Sequence, residues 1–145
     1  MSERGELAVR LFDGGCNCAQ AVFSVFSADY DIDAETALRL GAAFGAGAYC
    51  GELCGALSGA ALVCGAKYGN SSPEEHEQKY LCKEKTAEVI DRFRRRFDCI
   101  RCMDLLGVNV STPEGREIAD REELREKRCA GFVAGAAEIL EELGY

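Results

Sequence analysis

The stretch from Phe44 to Gly69, FGAGAYCGELCGALSGAALVCGAKYG, constrains the fold more than any other part of the chain. It combines Cys50, Cys54 and Cys64 with a glycine every two to six residues, and between Leu40 and Ala66 only Glu52 is charged. Read as a helix from about Cys50 onward, it places Cys50 and Cys54 on one face and Gly51, Gly55 and Gly59 in an adjacent stripe. A glycine inside a helix costs roughly 1 kcal/mol relative to alanine, so such a stripe needs a reason: another backbone coming close, or room for a cofactor. The glycines, and a charge near the middle of the run, favour a buried helix over a membrane span.

A chain of 145 residues with 48% hydrophobic residues fits one domain that removes about 70% of its unfolded surface from water, and it needs no staple to fold. Prolines occur only at 73 and 113, and alanine, leucine, glutamate and arginine dominate segments that lack β-branched alternation. The expected fold is therefore all-α: a single-domain bundle of about five helices spanning residues 1–145. A net charge of −8 argues against nucleic acid, whose phosphates require a basic face. The cluster Arg92, Arg94, Arg95 and Arg96 reads as a solvated helix face. The opening MSERGELAVRLFDGG carries charge throughout and lacks an apolar core, so no secretory signal is read there. The expected location is the cytoplasm, with no membrane partner.

Nine cysteines, at 16, 18, 50, 54, 64, 82, 99, 102 and 129, far exceed what an intracellular domain of this size needs. In a reducing compartment such a set indicates metal binding or reversible thiol chemistry before it indicates structural disulfides. Ser2, Asn17 and Asp33 are expected to cap the first three helices. Cys18, in the first turn of the second, is expected to be acidified by free amide donors and the helix dipole. Cys64 lies about 80° around the helix from Cys54 and Cys82 rides an apolar stripe, so both read as core. Ser72-Pro73-Glu74-Glu75 predicts the start of a long helix reaching Phe97. His76, in its polar first turn, reads as solvated. Cys99 and Cys102 form the sole CxxC, suited to two sulfurs on one metal or to a redox dithiol. Because Met103 follows, the c-type haem pattern is absent. Thr112-Pro113-Glu114 begins a short helical turn, and an amphipathic last helix carries Cys129 near its start.

The segments NCAQAVF at Cys18, FGAGAYCGELCGALSG at Cys54, LVCGAKYG, CMDLLG at Cys102 and the late Cys129 together resemble the C_GCAxxG_C_C family of redox-active proteins over nearly the whole chain. The resemblance implies four defining cysteines at Cys18, Cys54, Cys102 and Cys129, with Cys54-Gly55-Ala56 and Gly59 forming the CGAxxG element. It also implies kinship with the iron–sulfur domain of split-Soret cytochromes, whose haem motifs are missing here. Cys16, Cys50 and Cys99 depart from the four-cysteine pattern and stand as accessory ligands.

Three chemistries are compatible with this set. An iron–sulfur cluster on Cys18, Cys54, Cys102 and Cys129, beside Gly51, Gly55 and Gly59, would pass electrons to a partner protein. Metal-free thiol–disulfide exchange would use Cys54 as attacking group and Cys50 or Cys102 to resolve. A structural tetrathiolate zinc site would make the chain an interaction domain. The sequence does not name the redox partner, and it leaves a homodimer open.

Overall fold

The computed structural model describes residues 1–145. Eight α-helices follow one another: α1 (Glu3–Asp13), α2 (Cys18–Ser27), α3 (Ala34–Gly41), α4 (Gly55–Tyr68), α5 (His76–Phe97), α6 (Cys102–Leu106), α7 (Pro113–Arg121) and α8 (Ala130–Glu142). The chain is all-α, as its composition predicts. Eight helices stand where about five were expected; α6, of five residues, is too short to show a hydrophobic period.

Local chemistry sets most of the helix starts. Ser2, Asn17, Asp33 and Thr112 each accept a hydrogen bond from a first-turn amide, and Asn17 forms a capping box with Gln20. The start of α5 is displaced from the expected Ser72 to His76. Ser71 donates its amide to the Glu75 carboxylate at 3.0 Å, and Ser72 bonds the Glu74 side chain. These side chains hold the segment in a turn where a helix was expected.

The core lies between α1, α2, α4, α5 and α8, around fully buried Phe12, Phe23, Phe26, Leu57, Val63, Phe93, Ile139 and Leu140. Helix α4 packs most closely on α2. A Cβ on Gly59 would lie 2.6 Å from the Ala19 carbonyl oxygen, and one on Gly55 would lie 3.0 Å from Cys18 Cβ. The glycines thus let two backbones touch, one of the two uses expected of the stripe.

The stripe itself is shorter than the reading from Cys50 onward implies. Helix α4 begins at Gly55, and the residues before it form a left-handed turn, Gly47–Gly51, with positive φ at Ala46, Gly47, Ala48, Tyr49 and Gly51. Cys50 and Gly51 therefore share no helix face with Cys54. The peptide groups that would extend the helix are committed elsewhere: Cys54 N–H donates to Ile100 at 2.8 Å, and Cys102 N–H donates to Glu52 at 2.6 Å. Leu53 and Arg101 form an antiparallel bridge between these bonds.

On α5, Arg92 and Arg95 pair with Glu88 and Asp91 one turn back. Arg96 reaches across to Glu138 and Glu142 of α8 at 2.8 and 3.2 Å, so part of the arginine cluster is a tie between helices. His76 is exposed, Cys64 is fully buried and Cys82 is half-buried. No helix is long and apolar enough to cross a membrane.

Candidate functional site

Four cysteines from distant parts of the chain line one cavity of about 310 Å³. Cys18 is the first residue of α2, Cys54 is the cap residue of α4, and Cys102 is the first residue of α6. Cys129 closes a π-helical turn, Arg125–Cys129, that runs directly into α8. Cys18, Cys54 and Cys102 therefore stand at helix N-termini, where free amides and the positive dipole end favour negative sulfur, while Cys129 lies inside the continuous run from the π-helical turn into α8, the amide after it already bonded to Arg125. Phe12, Leu105, Leu106, Val110, Leu124 and Phe132 give the cavity apolar walls, while Asn17, Arg116, Asp120 and Arg125 stand among its polar lining.

The segments that carry Cys54 and Cys102 are joined by the backbone hydrogen bonds of the bridge and by an ion pair. Arg101 grips Glu52 with two parallel bonds, Nε to Oε2 and Nη2 to Oε1, both 3.0 Å. Glu52 is consequently held below its ordinary carboxylate value, chiefly by the hydrogen bond from Arg101. Sequence reasoning noticed Glu52 and missed its partner. No local signal named that partner, because Glu52 is exposed and an exposed carboxylate requires no cation. Gly47 supplies the remaining space: its φ is +61°, and a Cβ there would lie 2.9 Å from Cys102 Cβ and 2.5 Å from the Glu52 amide. Asn17 ties the other wall, donating to Gly41 and Ala42 carbonyls at 3.2 and 3.1 Å.

The thiols act on one another. Side-chain hydrogen bonding between Cys18 and Cys129 holds the Cys18 proton, and burial and the other three sulfurs push this thiol further up. The acidification expected at Cys18 from its helix end is outweighed by these effects. Burial pushes Cys54 up to about 12, against amide hydrogen bonds from Ala56 and Leu57. Cys102 is pushed up to about 11 by burial and by Cys129. Cys129 alone moves down, through its bond with Cys18 and the nearby Arg125 and Arg128.

The structure does not bring the remaining cysteines into this set. Cys50 is exposed on the left-handed turn, its thiol donating to the Gly47 carbonyl at 3.3 Å. Cys16 and Cys99 are half-buried, and neither lines the cavity. The CxxC is thus split, with Cys102 in the cavity and Cys99 outside it. No group of three or more His, Cys, Asp or Glu side chains converges tightly enough to hold a single metal ion. The four sulfurs surround a space and do not meet at a point.

A family model described as "Putative redox-active protein (C_GCAxxG_C_C)" matches residues 16–143. The chain belongs to the C_GCAxxG_C_C family. All four cavity cysteines fall within the matched span, together with Gly55 and Gly59 of the CGAxxG element. No curated protein and no solved structure matches the chain.

Proposed function

We propose that this protein carries single electrons through an iron–sulfur cluster held by Cys18, Cys54, Cys102 and Cys129. One observation carries the reading: four thiols from four separate segments line a single apolar-walled cavity. The donor set fits, since four thiolates are the usual complement of such a centre. A tetrathiolate zinc site would gather its sulfurs about 3.8 Å apart, from Zn–S bonds of about 2.3 Å.

When bound, the cluster supplies one-electron redox chemistry. The chain's own residues do the rest. The four thiols give up their protons to become ligands, a step that crowded, buried thiols make only for a cationic core. Helix N-termini and amide donors offset the negative charge that collects on the sulfurs. Phe12, Leu105 and Phe132 keep water from most of the cavity, while the open mouth leaves a route to a partner protein. A reducing cytoplasm suits both the free thiols and this role.

The test is anaerobic isolation with iron and sulfide supplied. The expected product is brown, with broad visible absorbance lost on Cys54→Ser and retained on Cys64→Ala. Wild-type protein that stays colourless and binds stoichiometric zinc would overturn the proposal in favour of the structural site.

A second reading, metal-free thiol–disulfide exchange, is favoured by the contact between Cys18 and Cys129. Cys129, the one acidified thiol, suits the attacking role better than Cys54. Its thiolate would displace one sulfur of a substrate disulfide. Cys18 would then attack the mixed disulfide, losing its proton, releasing the second substrate thiolate and closing a Cys18–Cys129 bond. The protein loses two electrons and the substrate gains them. A colourless, metal-free protein whose Cys18–Cys129 pair cycles reversibly in peptide mass spectra would establish this reading.

A further inference from the structure

Cys129 reaches the cavity differently from its companions. Cys54 and Cys102 share a backbone bridge, and Cys18 is packed against Gly55. The backbone bonds of the turn Arg125–Cys129, by contrast, are all local. Two side chains of the turn reach out in its place. Arg125 Nη2 donates to the Phe12 carbonyl and, at 3.1 Å, to the Cys16 carbonyl. Its guanidinium lies 3.7 Å from the centre of the Phe12 ring. Arg128 Nη2 donates to the Leu105 carbonyl at 2.9 Å. One arm therefore grips the loop that leads into Cys18, and the other grips the short helix that Cys102 opens.

Neither arginine has a carboxylate within ion-pair distance, although the chain carries 25 acidic residues against 17 basic ones. Arg4, Arg39, Arg92, Arg95, Arg96 and Arg101 all have such partners. Main-chain carbonyls position the two guanidiniums without neutralising them.

We infer that Arg125 and Arg128 are positioning residues of the cysteine site: they hold Cys129 opposite Cys18 and Cys102, and they keep two uncompensated positive charges beside the sulfurs. The electrostatic half rests on the iron–sulfur reading. There, added positive charge stabilises the more negative, reduced state of the centre and raises its potential. The geometric half stands without metal.

The experiment uses full-length wild type, Arg125→Gln, Arg125→Lys, Arg128→Gln and Arg128→Lys, each checked for unchanged helicity and melting. In metal-free protein oxidised with diamide, formation of the Cys18–Cys129 disulfide is followed by peptide mapping. A severalfold slower rate is expected for both Gln variants and for Arg125→Lys, whose ammonium cannot stack on the Phe12 ring as the planar guanidinium does. In anaerobically reconstituted protein, the midpoint potential is expected to fall in the Gln variants and to return in the Lys variants. An unchanged disulfide rate in folded Gln variants overturns the positioning role. An unchanged potential overturns the electrostatic role. Should Arg125→Gln fail to fold, Arg128→Gln decides both. If wild type takes up no iron, the iron–sulfur reading falls and the disulfide rate alone decides the inference.

Discussion

Helix α4 has a cysteine at each end, ten residues or about 15 Å apart, and the two ends are chemically opposite. At the N-terminal end Cys54 shares a cavity with three other thiols. At the C-terminal end Cys64 is fully buried and donates to the Tyr145 hydroxyl at 3.3 Å. Tyr145 packs edge-on against Tyr68, with ring centres 5.6 Å apart, and Lys67 lies over both rings. Burial pushes the Tyr145 phenol well above its ordinary value. Both ends bury sulfur among small and apolar residues. What separates them is company: Cys64 has one oxygen partner, whereas Cys54 shares its space with three other sulfurs, the proposed ligand set.

The largest effect that would break this comparison is a reversal of the two cysteines. Cys54→Ser is expected to abolish iron uptake while leaving the helical fold in place. Cys64→Ala should load iron normally and cost about 1–2 kcal/mol of stability, through a small cavity and a lost hydrogen bond. Iron analysis beside denaturant unfolding checks both; iron loss on Cys64→Ala would make the two ends equivalent.

Gly59→Ala comes next. The new methyl would press on the Ala19 backbone and wedge α2 from α4, with an expected loss of about 1–3 kcal/mol after any gain in helix propensity. Gly65→Ala, at the far end of the same helix, meets nothing within 4 Å and should stabilise by up to about 1 kcal/mol. Thermal melts of the two variants test whether close backbone approach belongs to the site end alone. A smaller effect is expected from Ala48→Gly, which relieves a positive φ of 56° and should raise stability by about 0.5–1 kcal/mol. Denaturant unfolding measures it.

The smallest effect concerns pH. Glu52 is held below its ordinary value of 4.5 by Arg101, so the folded state binds its proton more weakly than the unfolded state does. Its contribution is therefore complete above that value and lost as pH falls through the depressed one. The stability difference between wild type and Glu52→Gln should be flat near neutrality and vanish in acid. A difference that instead grows on acidification would show that the pair does not clip Cys54 to Cys102 as described.

Much of this was legible in the residues. Ser2, Asn17, Asp33 and Thr112 announce their helices because a capping side chain and its amide are three residues apart. Cys64 could be set apart from Cys54 by its angle on the helix. The left-handed turn at Gly47–Gly51 could not be foreseen, since Ala48 and Tyr49 have no intrinsic preference for positive φ and adopt it only because the 52–54 peptides pair with residues 100–102. The same pairing removed Cys50 from the helix. The thiol acidity expected at Cys18 failed for a related reason: a helix end is local, but the burial and neighbouring sulfurs that outweigh it come from α4, α6 and the turn before α8.

By itself the sequence determined that this chain is all-helical, where most of its helices begin, and that it belongs to the C_GCAxxG_C_C family. These properties depend on contacts within a turn or two of chain. Only the tertiary structure decided that Cys50, Cys99 and Cys16 stand outside the cavity, that Arg101 answers Glu52, and that Arg125 and Arg128 tether Cys129. Those contacts join residues from 23 to 113 positions apart, and no local periodicity encodes which distant carbonyl a guanidinium will meet.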